Sequence, residues 1–127
     1  MLKLLYFLKI DLIAQRLQRY LQRVRLYRLE QKFGTKIRFV HQGEGDVTIV
    51  GREGRFRMDE TSHLKSATFI ECRGGVTIGR YFHTGRGLTI FSTNHNYASE
   101  KAIPYDEEDI IQPVTIEDFV WCIIVVR

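Results

Sequence analysis

His95 is the side chain in this sequence best placed to carry out acid–base chemistry. It stands between Asn94 and Asn96, where a long polar segment departs from a run of regular strands. Imidazole titrates close to neutral pH, so a histidine held by a rigid strand and covered by the following segment suits the role of a general base. Asn94 is either a turn residue or a group that orients His95 or contacts a substrate.

The other three histidines lie in places that favour ordinary surface roles. His41 and His63 are close in sequence to charged residues, and we expect each of them at the surface. His83 stands between Phe82 and Thr84, which are predicted to point inward. Because successive side chains of a strand point to opposite faces, the side chain of His83 should point outward.

The segment that would hold His95 in place repeats with a period of six. Apolar residues recur at every sixth position, at Met58, Leu64, Ile70, Val76, Phe82 and Leu88. This period is typical of a solenoid in which each flat face takes one hexapeptide. Gly79 and Gly85 fall where the backbone should turn, since glycine tolerates φ > 0. The pattern therefore predicts an all-β fold, a parallel β-helix, over residues 34–127.

Two segments interrupt this pattern. Residues 51–54, GREG, are predicted to form a corner loop. The period stops after Ile90 and resumes at Val114, so residues 91–113 are predicted to leave the coil as one long loop. Loops of this length in compact domains are usually functional or disordered. The acidic run 106–109 within the loop is expected to be a solvated face.

Residues 1–33 are predicted to form a basic, amphipathic helical arm. They carry eight Lys or Arg against Asp11 and Glu30, a net charge of +6, whereas the other residues sum to −2. Apolar residues spaced three and four apart form one helical stripe, at Ile10, Ile13, Leu17, Tyr20, Val24 and Tyr27. Gly34 is the expected end of one or two helices that span residues 3–33.

Three roles remain open for this arm. Its stripe could pack on the open end of the coil or on neighbours in an oligomer, since an uncapped β-helix exposes strand edges and core. It could instead lie on an anionic membrane surface with the apolar side chains of residues 2–8 inserted. Nucleic-acid binding is the third role, although the body of the protein lacks the basic surface that binding phosphates requires. Lys3, Lys9 and Asp11 interrupt the apolar opening, so neither a membrane span nor a signal peptide is predicted.

The composition is that of a single globular domain. The chain has 127 residues, 44% of them hydrophobic and 27% charged, which is enough to bury a core. Cys72 and Cys122 have no CxxC spacing, so neither a metal knuckle nor a disulfide framework is indicated. A reduced, cytoplasmic setting is the expectation, with membrane contact through the arm as an option.

Several segments together resemble the hexapeptide-repeat O-acetyltransferases, the family of the maltose, galactoside and serine acetyltransferases and of many polysaccharide O-acetyltransferases. They are VTIG at 76–79, GRGLTI at 85–90, the Asn-His step, IPYD at 103–106 and QPVTIEDFVW at 112–121. The similarity covers about residues 64–121. It implies a left-handed parallel β-helix, usually a homotrimer, whose active site lies in the cleft between adjacent subunits.

The resemblance also implies a reaction and roles for three residues. His95 would be the catalytic base that removes the proton of an acceptor hydroxyl as its oxygen attacks the thioester of acetyl-CoA. Acetyl-CoA would be the acyl donor, a sugar or polysaccharide precursor the acceptor, and no metal would be needed. Asn94 would contact the acceptor. Trp121 matches a tryptophan near the donor channel, although burial in the coil would account for it equally well.

The sequence departs from the family in two ways. Counted without gaps from Gly79, the family's acceptor-side asparagine and acidic residue fall on Lys65 and Arg73, so the acceptor cannot be carried over. Family members also continue beyond the Val-Trp step with further coils, whereas this sequence reads VWCIIVVR and ends. We therefore expect a fragment or a truncated relative, with an apolar, unpaired edge at residues 123–127.

Two alternatives to the acetyltransferase follow. The first is a non-catalytic β-helix that serves as an oligomerisation or regulatory partner. The second is a zinc site shared by histidines of neighbouring subunits, for which His83 and His95 are the candidates. No third ligand is in phase with them.

Overall fold

The computed structural model describes residues 1–123, which form mainly short strands preceded by a helical arm. The arm contains α1, Leu2–Phe7, and α2, Ile10–Phe33. The described residues then form twelve strands: β1 Phe39–Val40, β2 Val47–Val50, β3 Phe56–Met58, β4 Leu64–Lys65, β5 Thr68–Glu71, β6 Val76–Ile78, β7 His83–Thr84, β8 Thr89–Phe91, β9 Thr93–His95, β10 Asp109–Ile111, β11 Val114–Ile116 and β12 Trp121–Cys122. The predicted apolar edge at 123–127 lies, apart from Ile123, outside the described residues.

Parallel strands stack in sheets that the chain visits in the same order on every turn. One sheet has the order β2-β5-β8 and another β3-β6-β11. The third side is built from the pairs β1-β4 and β7-β12, which an isolated bridge between His63 and His83 connects. Each return to a sheet therefore adds one more parallel strand beside the previous one.

The predicted series of inward residues is confirmed. All six of its members are buried, with exposed fractions between 0% and 6%. The turn itself is longer than three hexapeptides, because Met58 pairs with Ile78 and Ile70 with Ile90, twenty positions apart. Inward side chains on a strand are two residues apart. Counting eighteen residues, or three hexapeptides, and counting the observed twenty therefore both lead from one inward residue to another. The apolar pattern therefore gave the buried face correctly but not the length of the turn.

Glycine has a different role at the corner after β6 than the sequence suggested. Neither Gly79 nor Gly85 adopts φ > 0, whereas Tyr81 and Phe119 do, at 56° and 62°. Gly79 is needed for a close approach instead, since a Cβ atom there would lie 2.9 Å from the backbone nitrogen of Asp118 on the next turn. Close packing between turns, rather than left-handed backbone, explains this glycine.

The two predicted interruptions of the coil occur where expected, but the second is more ordered than a loop. Residues 51–54 form the turn between β2 and β3, as predicted. Phe91, the first residue of the predicted loop, still belongs to β8 and pairs with Glu71, so residues 92–113 leave the parallel sheets. β11 then pairs with β6, so that Val114 lies beside Val76. Within this excursion β9 and β10 pair as antiparallel strands. We did not predict this pair from the sequence.

The helical arm packs on the core through its C-terminal end, and Gln22 and Arg25 earlier in α2 donate hydrogen bonds to Asp46 directly before β2. α2 ends at Phe33, and Gly34 caps it in the left-handed region with φ of 63°, as predicted. Phe33 is buried and packs edge to face on Phe56, and Leu26 and Leu29 are partly buried against the same core. α2 therefore packs on the core through Leu26, Leu29 and Phe33, and the predicted stripe that begins at Ile10 lies on another side of the helix. No helix among residues 1–123 is both long and apolar enough to cross a bilayer.

Removing the fully buried ring of Phe82 should destabilise the fold strongly. We expect Phe82→Ala to lower the free energy of unfolding by about 3–5 kcal/mol, because the cavity it leaves adds to the lost transfer free energy. Phe7→Ala, at an α1 residue that is 79% exposed, is the matched control and should cost less than about 0.5 kcal/mol. Urea denaturation of both variants checks this, and equal costs would contradict the assignment of Phe82 to the core.

Candidate functional site

His95 lies at a corner where three successive layers of chain stack on one another. Residues 51–55, 72–75 and 92–113 each connect the sheet of β2, β5 and β8 to the sheet of β3, β6 and β11. The layers touch closely, because a Cβ atom at Gly74 would lie 2.1 Å from the carbonyl oxygen of Ser92. The two ends of the excursion also meet, since the backbone N–H of Gln112 donates to Ser92 at 2.8 Å.

The carboxylate of Glu71, buried at the end of β5, ties these layers together. Its Oε1 accepts hydrogen bonds from the backbone nitrogen and Nε of Arg73, at 2.7 and 3.0 Å. Its Oε2 accepts from the backbone nitrogen of Ser92 at 3.1 Å and from Oγ1 of Thr93 at 2.9 Å. Burial raises the pKa of Glu71, but these hydrogen bonds outweigh it and hold the pKa below its ordinary value. A charged carboxylate thus anchors the start of β9, the strand that carries His95.

Arg73 extends this network to the other strand of the excursion. Its Nη2 donates to Oγ1 of Thr93 at 3.1 Å, and its Nη1 donates to Asp109 at 2.9 Å. The hydrogen bond to Glu71 and the charge of Asp109 raise the pKa of Arg73 above its ordinary value. Arg73 therefore joins a buried carboxylate to one that faces His95.

The imidazole of His95 lies between Asp109 and Tyr105. β9 and β10 place Asp109 directly opposite His95, and Nδ1 of the imidazole is 3.6 Å from Oδ1 of that carboxylate. The ring of Tyr105 stacks on the imidazole with centroids 4.1 Å apart and planes 8° from parallel. With Nδ1 toward Asp109, Nε2 lies on the opposite edge of the ring. The side chain of His95 is 58% exposed, so a solute can reach it.

Asn94 supports the backbone next to His95 rather than its imidazole. Its Oδ1 accepts a hydrogen bond from the backbone nitrogen of His95 at 2.9 Å. Both residues line an open pocket of about 390 Å³ that also involves Arg73, Phe91 and Gln112. That volume lies within the range of small-molecule sites. Of the three residues implied by the family resemblance, the structure therefore brings His95 and Asn94 together.

A second pocket of about 270 Å³ adjoins the first and has a basic lining. It shares Arg73 and Asp109 with the first pocket and adds Arg52 and Arg55 from the first layer of the corner. Within residues 1–123, neither Arg52 nor Arg55 forms an ion pair. Guanidinium groups in such a position suit a phosphate or carboxylate group.

Trp121 lies on another side of the molecule and lines neither pocket. It pairs with His83 in the β7-β12 sheet, and it is 71% exposed. Burial in the coil therefore does not explain this tryptophan. His83 points outward, as predicted, and packs edge to face on His63 with ring centroids 4.5 Å apart.

Sequence reasoning missed four residues of the site, namely Glu71, Arg73, Tyr105 and Asp109. The family pattern identifies Arg73 only as a departure, and the acidic run 106–109 predicts a solvated face for Asp109. Lys65, the other departure, lies in β4 on a different side of the molecule. Strand alternation predicts an outward side chain for Glu71, because it directly follows the inward residue Ile70, whereas the structure buries it.

Within residues 1–123 no group of three or more His, Cys, Asp or Glu side chains is placed to hold a metal ion. Cys72 and Cys122 are both free thiols. Comparison with known proteins found no matching family model, no similar curated protein and no similar solved structure.

Replacing Glu71 with glutamine should test its role in the corner. The amide nitrogen of Glu71→Gln would face hydrogen-bond donors, so we expect a loss of about 1–3 kcal/mol of unfolding free energy at pH 7. Because the folded-state pKa of Glu71 is lowered, its stabilisation is present above the ordinary value of 4.5 and is lost as the pH falls through the folded value. The difference between the variant and the parent should therefore shrink in acid.

Urea denaturation at neutral and acidic pH measures this difference, and Glu53→Gln, at an exposed residue of the same corner, is the control. The control should change stability little at either pH. A constant difference between Glu71→Gln and the parent across the pH range would show that the charge of Glu71 does not stabilise the fold.

Proposed function

We propose that the protein is a CoA-dependent O-acetyltransferase that moves an acetyl group from acetyl-CoA to a hydroxyl of a sugar or polysaccharide precursor. The observation that carries this proposal is the position of His95. Its imidazole lines a pocket, with Nδ1 toward Asp109 and Nε2 on the opposite edge of the ring. Direct transfer requires an oriented base beside a site that a substrate can enter, and His95 beside this pocket meets that requirement.

The proposed fold is the left-handed parallel β-helix of the hexapeptide-repeat acetyltransferases. Three features support it: parallel sheets visited in a fixed order, apolar residues that point inward from each, and an excursion that carries His95. The stacked turns supply a rigid platform, which holds the base in place while the excursion encloses one side of the pocket.

The proposed reaction needs only side chains of the site and the two substrates. Nε2 of His95 takes the proton of the acceptor hydroxyl as its oxygen bonds to the thioester carbon. The tetrahedral intermediate then collapses, the carbon–sulfur bond breaks, and the departing thiolate receives the proton from the imidazolium. Asp109 stabilises the imidazolium in between, and Arg73 holds Asp109 in position through their 2.9 Å hydrogen bond.

We propose further that the active unit is a homotrimer with sites shared between subunits. Trp121 is exposed and lies on a different sheet from the pocket of His95, so one chain alone does not bring the two together. Packing around a closed symmetric axis would place Trp121 of one subunit near His95 of the next. The exposed stacked pair of Tyr81 and Phe119, with centroids 5.1 Å apart, lies beside Trp121 and would be covered in the same contact.

Removing the proposed base should abolish most of the activity. We expect His95→Ala to lower the rate of acetyl transfer by about 10²–10⁴-fold without unfolding the protein. Release of free CoA thiol in the presence of a saccharide acceptor gives the rate, and His41→Ala, at an exposed histidine outside the pocket, is the control. Equal rates for His95→Ala and the parent would exclude His95 as the base. A folded oligomer that neither binds CoA nor transfers acetyl would favour the non-catalytic alternative.

Removing the indole of Trp121 should weaken donor binding and leave the fold intact. We expect Trp121→Ala to raise the Kd for CoA by about tenfold, the equivalent of about 1.4 kcal/mol of aromatic contact. Calorimetry measures the affinity, with Tyr6→Ala, at an 83% exposed aromatic residue of α1, as the control. Unchanged affinity in Trp121→Ala, beside an inactive His95→Ala, would remove Trp121 from the donor site and retain the base.

A further inference from the structure

We infer that the helical arm, residues 1–28, binds the surface of an anionic lipid membrane. This inference rests on the arm alone and does not depend on the acetyltransferase proposal. We use the name arm stripe for the apolar series Ile10, Ile13, Leu17, Tyr20, Val24 and Tyr27.

α2 has two apolar faces, and among residues 1–123 only one of them packs on the core of the strands. Leu26, Leu29 and Phe33 pack against the core of the strands. Since each residue of an α-helix turns by about 100°, the arm stripe lies on the side of α2 away from these three residues. Five of the six stripe residues are 42–64% exposed. Monomeric proteins rarely leave a continuous apolar surface of this kind uncovered.

α1 extends this uncovered surface. None of its residues is buried, and Leu2 and Phe7 are 78% and 79% exposed. Lys9, with φ of 52°, connects α1 to α2. Large apolar side chains are therefore exposed from Met1 to Tyr27 over most of the arm.

Basic side chains border the arm stripe on both sides. At about 100° per residue, Arg16 and Arg23 follow one edge of the stripe and Arg28 lies at the other. Apolar residues in the middle and long basic side chains at the edges are the distribution of a helix that lies in a membrane interface. The charge of residues 1–33, +6, attracts anionic headgroups.

The same charges oppose the alternative in which a second copy covers the arm stripe. Its three-and-four spacing would also suit a coiled coil, whose flanking positions here include Lys9, Arg16, Arg23 and Arg28 beside the uncharged Ala14 and Leu21. In a parallel pair of arms Arg23 would face Arg28, and in an antiparallel pair Lys9, Arg16 and Arg23 would face one another. Glu30, the acidic residue at such a position, instead accepts a hydrogen bond from the backbone of Ile37 at 3.0 Å. Anionic lipid satisfies both the apolar stripe and its basic borders.

The test is co-sedimentation of the full chain with phosphatidylcholine vesicles, with and without phosphatidylglycerol. We expect binding to the anionic vesicles, weakened by added salt, and little binding to the neutral ones. Arg16→Gln and Arg23→Gln should each weaken binding roughly fivefold, which corresponds to about 1 kcal/mol per basic residue near the surface. Absence of binding to anionic vesicles would overturn the inference.

A matched pair of leucine variants separates the arm stripe from the rest of α2. Leu17→Gln, on the stripe, should weaken vesicle binding by about tenfold, since it removes buried apolar area. Leu12→Gln, off the stripe and 43% exposed where Leu17 is 56% exposed, should change binding much less. Both residues are exposed, so both variants should fold, and circular dichroism verifies this. If Leu17→Gln changes the oligomeric mass in solution but not vesicle binding, a second copy covers the stripe and the inference is wrong.

Discussion

Parallel pairing between successive turns is the constraint on which the rest of this structure depends. Strands of consecutive turns pair about twenty residues apart, as when Ile70 lies beside Ile90, and across the excursion β11 pairs with β6. Every turn therefore buries its inward side chains on the turn before. The same pairing stacks the corners. Glu71 and Arg73 lie near His95 because the corner at 72–75 and the excursion at 92–113 are adjacent layers. Since these layers are rigid, they hold the side chains of the proposed site in place.

Burial of the Glu71 carboxylate links the stability of the coil to the geometry of the pocket. A buried charge is costly unless hydrogen bonds replace its hydration. Here donors from two layers do so, from Arg73 in one and from Ser92 and Thr93 in the next. The hydrogen bonds from Ser92 and Thr93 that stabilise the buried charge also fix the position of β9. Arg73 binds both Glu71 and Asp109, so it also fixes the position of Asp109. Structural and proposed catalytic roles thus share one network.

The two parts of α2 differ in what surrounds them: one packs on the core, and the other is exposed. The C-terminal part of α2 closes the end of the core with Leu26, Leu29 and Phe33, as a stack of strands with an exposed end requires. Its N-terminal part contributes nothing to that core. Its apolar stripe and basic borders instead form the proposed membrane-binding surface, so the arm would combine an internal cap with a docking element.

Local patterns in the sequence determined the inward residues, the outward position of His83, the corner at 51–54 and the helix end at Gly34, because strand alternation and glycine capping are set by neighbouring residues. The sequence also marked His95. Tertiary structure alone decided that Asp109 lies opposite His95, that Glu71 binds Arg73, and that Leu26 rather than Leu17 faces the core. These contacts depend on the register of strands and on the rotation of a helix about its axis. The sequence is compatible with several registers and rotations, and packing between distant segments selects one of them.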